Sequence, residues 1–266
     1  MKHILLTNDD GYRCAGYYPL LDELKKQFEV TAIAPELERS AAAKSLSVRS
    51  KIGYKKILHE GHEVYAIDGT PADCVQIGLY DLMEKRPDIV VSGINRGANI
   101  GHAMILSSGT IGAAMEGAID GVVSIAASMT YPKDKKIDYF DPSSYVYFET
   151  ASKIVAKIVK LLGSMDLPKG LDVISINVPY GANEDAEIEI TKPSLHSTGG
   201  IYKREGDFFT YDKWELVFEN LEDGTDLKAI YEGKVSVTPI DLRLATQESV
   251  SFLQNELKPL WEELAI

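Results

Sequence analysis

The sequence predicts an α/β protein: a mostly parallel β-sheet with helices on both faces, followed by a C-terminal extension. Two observations carry this. Short, almost wholly apolar runs at residues 4–7 (ILLT), 30–34 (VTAIA), 88–92 (DIVVS), 122–127 (VVSIAA) and 173–178 (VISINV) alternate with segments of helical period. Runs of that kind are strands buried on both faces, the signature of a parallel sheet under covering helices. From about residue 184 this alternation stops, and EIEITKP (187–193) and KWELVFEN (213–220) read as antiparallel strands. The predicted division is a core over 1–183 and an extension over 184–266, the latter suited to oligomerisation.

The elements follow in order. After the first strand, residues 19–26 form a helix with Leu20, Leu21 and Leu24 on one side. Pro35 closes the second strand and a polar, small-residue loop covers 36–47. Residues 51–68 read as a hairpin turning at Gly61. Thr70-Pro71-Ala72-Asp73 starts a helix reaching about Met83: Thr70 can cap, Pro71 suits the first turn, and Asp73 is the acidic third residue of a capping box. After DIVVS a glycine-rich loop spans 93–101, and a small-residue helix runs over 110–119. A long amphipathic helix over 144–162 sets Ile154, Ile158 and Leu161 on one face. The extension adds a strand at 235–239 and a terminal amphipathic helix over 247–264.

The chain of 266 residues carries 28 basic and 40 acidic side chains, a net charge of −12. That balance, with no Lys/Arg block, argues against a module for duplex nucleic acid. Two cysteines, Cys14 and Cys74, make no disulfide framework or cysteine-rich metal pattern, which fits a reducing cytoplasm. The apolar run at the N-terminus is too short for a signal peptide, and no stretch reaches membrane-spanning length, so a cytoplasmic protein without a membrane partner is expected.

Four short motifs fall after strands, at the sheet edge where α/β proteins bind ligands. Asn8-Asp9-Asp10-Gly11 puts two carboxylates side by side at the end of the first strand. Asn, Asp and Gly form ordinary turns, but a hard divalent cation between Asp9 and Asp10 would also relieve their repulsion. Residues 34–40 (APELERS) offer the hydroxyl of Ser40, or no more than a solvated loop. Residues 92–101 (SGINRGANIG) combine closely spaced glycines with the amides of Asn95 and Asn99; they match neither a dinucleotide fingerprint nor a Walker loop. Ser107-Ser108-Gly109-Thr110 precedes a helix and is either a plain N-cap or a phosphate cradle. His3, His59, His62, His102 and His196 are scattered, and Trp261 reads as packing.

Taken together, the ordered set NDDG (8–11), AP-x4-S (34–40), GTPADCV (69–75), SGIN-x-G-x-N-x-G (92–101), SGT with AAMEG (108–117), INVP (176–179) and VSVTP (235–239) resembles the SurE survival-protein family of metal-dependent nucleotidases. The resemblance implies a Rossmann-like core and a C-terminal arm exchanged between subunits of a homodimer or homotetramer. It implies hydrolysis of nucleoside 5′- and 3′-monophosphates, and of short polyphosphate in some members. By motif position it implies one divalent ion per subunit, Mg²⁺ or Mn²⁺, on Asp9, Asp10, Ser40 and Asn95. Asp9, Asp10 and Asn95 would be catalytic, and Asn99, Ser108, Gly109 and Thr110 would lie near the phosphate. Three positions depart from the pattern: Ser107 stands where the family often has Tyr or His, the segment 102–107 is about one residue longer, and Ala41 replaces a glycine. Adjacent carboxylates, rather than Asp-x-Asp, favour direct attack by water over an aspartyl-phosphate route. The alternative is a non-catalytic nucleotide-binding protein on the same fold.

Overall fold

The structure, a computed structural model, describes residues 1–130, 136–168, 170–195 and 198–264, with side chains through residue 260. His196 and the side chain of Trp261 lie outside the described residues. The first strands are β1 (His3–Thr7), β2 (Glu29–Pro35) and the hairpin pair β3 (Tyr54–His59) and β4 (His62–Ile67). β5 (Ile89–Arg96), β6 (Val123–Met129), β7 (Val173–Val178), β8 (Ile188–Ile190) and β11 (Val235–Ile240) complete a nine-stranded sheet ordered β3-β4-β2-β1-β5-β6-β7-β11-β8. The six strands from β4 to β7 are parallel; β3 pairs antiparallel with β4, and β11 antiparallel with β7.

Helices α1 (Tyr17–Lys25) and α5 (Glu149–Gly163) cover one face, and α2 (Pro71–Ile77) and α4 (Gly109–Ile119) the other. The two-residue period of β1 sorts the core accordingly: Ile4 and Leu6 join Leu20, Leu21 and Leu24 of α1, whereas Leu5 joins Ile33, Val75 and Val90 beside α2. Each fully buried leucine contributes roughly 2 kcal/mol by leaving water. The capping box forms as expected, with the Asp73 N–H donating to Thr70 Oγ1 (3.1 Å) and the Thr70 N–H to Asp73 Oδ2 (2.8 Å).

Several expectations are corrected. β5 does not stop at Ser92; it passes a bulge between Ser92 and Asn95 and continues beside β6, so only part of 93–101 is loop. Gly93 makes this possible at φ +139°, where a Cβ would lie 2.3 Å from Ala127 O. Residues from Gly101 to Ser107 form a further helix, α3. The helix expected over 144–162 splits into a 3₁₀ turn (Pro142–Tyr147) and α5, and Leu161 is 57% exposed rather than packed with Ile154 and Ile158. Within EIEITKP, β8 runs parallel to β11, because the short helix α6 (Asp226–Tyr231) lies between them in the chain and carries it back across the sheet. KWELVFEN forms no strand, only an isolated bridge from Leu216 to Thr198; the hairpin nearby is β9 (Tyr202–Glu205) with β10 (Phe208–Tyr211). β8 and β11 both lie past residue 183, so part of the C-terminal region completes the core sheet. The terminal helix α7 (Gln247–Leu264) forms where expected.

Candidate functional site

The chain runs from β1 to β2 on one side, while β5 lies on the other, so the sheet has its topological switch point between β1 and β5. The segments leaving β1, β2 and β5 converge at that edge. The Arg39 N–H donates to Asp9 O (2.7 Å) and the Ala43 N–H to Ser107 O (3.0 Å), tying the 36–47 loop across the mouth. A cavity of about 930 Å³ opens there, with Asp9, Ser40, Asn95, Asn99 and Ser108 in its lining. Five residues from four separated motifs thus meet in one space.

Asp9 is only 4% exposed. Thr110 Oγ1 donates to its Oδ1 at 2.6 Å, and a Cβ on Gly109 would stand 2.8 Å from Asp9 Cβ and 3.0 Å from Oδ2. Thr110 and Gly109 therefore act beneath Asp9: both lie outside the cavity lining, one orienting the carboxylate and the other leaving it room. Asp10 turns the other way, into a smaller cavity of about 410 Å³ shared with Glu38. Arg96 holds it with its backbone N–H to Oδ2 (3.1 Å) and Nε to Oδ1 (2.8 Å), and reaches Glu38 with Nη2. Glu38 also lines the larger cavity, where Ser40 Oγ donates to its Oε1 at 2.6 Å. The Asn95 amide nitrogen donates to Gly97 O (2.7 Å), which leaves its oxygen available. Asn99 is pinned twice, its backbone N–H to Asn177 Oδ1 (2.8 Å) and its amide nitrogen to Ser128 Oγ (2.8 Å). Ser108 caps α4, its Oγ accepting from the Ile111 N–H at 3.2 Å.

Burial and the neighbouring Asp10 charge push the Asp9 carboxyl up to about 7, against the pull of Thr110. Burial raises Asp10 as well, with Arg96 opposing. Two desolvated carboxylates this close are costly without more positive charge than one guanidinium supplies. The donors available are all oxygen: two carboxylates, a hydroxyl and an amide. Among the described residues no three His, Cys, Asp or Glu side chains gather at a metal-sized site, so the remaining donors are neutral. That donor chemistry fits a hard ion such as Mg²⁺ or Mn²⁺ and not a thiolate- or imidazole-seeking one.

Of the three departures, Ser107 lines the cavity while its hydroxyl turns back to Ala103 O (2.6 Å). The 102–107 segment is absorbed into α3, and Ala41 adopts φ +56°, a left-handed conformation that a glycine would take without strain. Arg96, Asn177 and Glu38 were not singled out in sequence. Asn177 stood within INVP, but a lone strand asparagine carries no signal of the partner it meets 78 residues away.

Residues 4–199 match the family model described as Survival protein SurE. The chain is 35% identical over 263 residues to the 5′-nucleotidase SurE of Archaeoglobus fulgidus, covering 97% of this chain and 99% of that protein. It is 38% identical over 247 residues to the 5′-nucleotidase SurE of Methanosarcina acetivorans, covering 90% and 91%. The crystal structure of the SurE protein from Aquifex aeolicus superposes with a TM-score of 0.79 at 31% identity, covering 95% of this chain and 98% of that one. With the family match spanning most of the sheet and relatives aligned almost end to end, the chain belongs to the SurE family.

Proposed function

We propose that this protein is a divalent-metal-dependent 5′-nucleotidase, hydrolysing nucleoside monophosphates to nucleoside and phosphate. The observation that carries the reading is the meeting of Asp9, Ser40 and Asn95, an all-oxygen donor set, with the capped helix start at Ser108 in one cavity at the sheet's switch point. The names of near-full-length relatives support it. The reading extends to 3′-monophosphates and short polyphosphate, since the helix start holds a phosphate whichever hydroxyl carries it.

Asp9, Asp10, Ser40 and Asn95 would hold one Mg²⁺ or Mn²⁺ per chain. When bound, such an ion would supply Lewis acidity, offsetting the negative charge that develops on the phosphoryl group. Phosphoryl transfer then needs mainly positioning and charge stabilisation. Ser108, in the cavity lining at the start of α4, would meet the phosphate there, favoured by the helix dipole. Asn99, fixed by Asn177 and Ser128, offers a rigid edge beside it. Arg96 keeps Asp10 in place as the phosphate arrives. Water attacks phosphorus, the ester P–O bond breaks, and the departing nucleoside oxygen takes up a proton.

The assembly expected is a homodimer or homotetramer, supported by the exposed Phe208 and Phe209 of the hairpin and Phe252 and Leu253 of α7. Two buried free thiols support a reducing compartment, and no described helix is long and apolar enough to cross a membrane. The test is a panel. Chelator-stripped protein is assayed for phosphate release from nucleoside 5′- and 3′-monophosphates with Mg²⁺, Mn²⁺ or no metal. Release only with metal is expected. No release under any condition would leave a nucleotide-binding protein instead.

A further inference from the structure

The larger cavity has two unlike sides. Its floor is polar and comes from the strand ends; a second part of its lining, the wall, comes from residues 201–218 and includes Tyr202, Tyr211, Trp214 and Phe218. Within that wall the side chains divide again. Leu216 and Phe218 pack on Ile100, Leu227 and Ile230 as a small core of their own, which anchors the segment. Tyr202, Tyr211 and Trp214 line the cavity without joining any such cluster.

Tyr202 and Tyr211 are directly paired across the antiparallel hairpin, so their rings leave the same face, and that face borders the cavity. They remain 67% and 63% exposed, so packing within the chain does not account for them. Trp214 adds an indole whose Nε1 is shielded from solvent and has no hydrogen-bond partner among the described residues. A shielded donor of this kind costs free energy until an acceptor arrives. At about 930 Å³ the cavity is far larger than a phosphate group needs and lies in the range of sites that enclose whole small molecules.

We propose that Tyr202, Tyr211 and Trp214 form a stacking seat for the nucleobase of the substrate, with the Trp214 N–H donating to an oxygen or ring nitrogen of the nucleoside. The inference rests on the nucleotidase reading for the placement of the phosphate at the floor. The seat offers ring faces and a single indole donor, so it separates molecules that carry a base from those that do not. It discriminates poorly among bases, since every base has a face to stack.

The test compares adenosine 5′-monophosphate with ribose 5-phosphate, which keeps the sugar and phosphate and deletes the base. The quantity read is the ratio of their kcat/KM values. In Trp214→Ala that ratio is expected to fall roughly ten-fold from its native value, through a higher KM for the nucleotide, and Trp214→Phe is expected to restore most of it. A second readout needs no turnover. Trp261→Phe leaves Trp214 as the sole tryptophan of the two, and its fluorescence should respond to adenosine and to the nucleotide but not to ribose 5-phosphate. A ratio unmoved by Trp214→Ala, together with fluorescence indifferent to adenosine, would overturn the seat while leaving hydrolysis intact. A fluorescence response to adenosine with no phosphate released from either substrate would uphold the seat and remove the hydrolytic reading.

Discussion

Asp9, Asn99, Ser108 and Thr110 stand at strand and helix ends beside the switch point and are at most 7% exposed, whereas Tyr202 and Tyr211 across the same cavity are 67% and 63% exposed. On the floor almost every polar group is tied down, as by Thr110 on Asp9 and by Asn177 and Ser128 on Asn99. The wall is a short hairpin followed by the 213–220 segment, which the isolated bridge Leu216–Thr198 ties to the chain just before the hairpin. The two are linked by a buried carboxylate: Asp226 accepts from the Gly101 N–H (2.7 Å) beside the floor and the Ser194 N–H (2.8 Å) on the way to the wall. The contrast follows from what each side is asked to do. Charge stabilisation fails when a ligand strays by a fraction of an ångström, so its residues belong on rigid elements. Stacking tolerates movement, and exposed segments with few buried contacts open most easily.

The largest effect expected is on the floor. Asp9→Asn should lower kcat/KM by more than about a hundred-fold, beyond the loss typical of residues that only support a metal ligand, with the circular dichroism spectrum unchanged. A loss no greater than that from Trp214→Ala would erase the distinction between floor and wall.

The same residue sharpens the comparison through pH. In the folded, metal-free chain Asp9 is raised from 3.8 to about 7, so the native state holds its proton longer than the unfolded state. Stability is then complete below about pH 4 and falls as pH rises towards 7, by on the order of a few kcal/mol. Asp10 and Asp226 are raised and act in the same direction. Thermal melts of chelator-treated protein should show this decline, Asp9→Asn should make it shallower, and Mg²⁺ should recover the loss. A melting temperature that climbs from pH 4 to 7 without metal would contradict it.

Smaller changes probe packing under the site. Gly109→Ala would push a methyl group against Asp9 and Pro71, and is expected to cost about 1–3 kcal/mol of stability by overpacking and to displace the carboxylate, visible as weaker metal binding. Ala41→Gly should do least: relief of the left-handed backbone, offset by chain entropy, is worth under about 1 kcal/mol. Urea unfolding measures both, and a destabilised Ala41→Gly would remove the strain argument.

The floor was legible in sequence because its residues follow apolar strands, and a parallel sheet brings the carboxyl ends of its strands to one edge. The Thr70 capping box was legible because both partners lie within one turn. What escaped depends on distant contacts. Glycines suggested that residues 93–101 form a loop, yet β6 alongside supplied ladder partners and β5 continued to Arg96. The alternation of Trp214, Leu216 and Phe218 imitates a strand, but those side chains line the cavity with no ladder beside them. The grip of Arg96 on Asp10 spans 86 residues and leaves no local pattern.

Asp9 and its neighbours are proposed to hold a divalent ion at the switch point, and calorimetric titration of chelator-stripped protein with Mn²⁺ decides whether they do. One site per chain is expected in the native protein, weakened by more than about a hundred-fold in Asp9→Asn. Binding of equal affinity and stoichiometry in Asp9→Asn, or no binding to the native chain, would contradict the account.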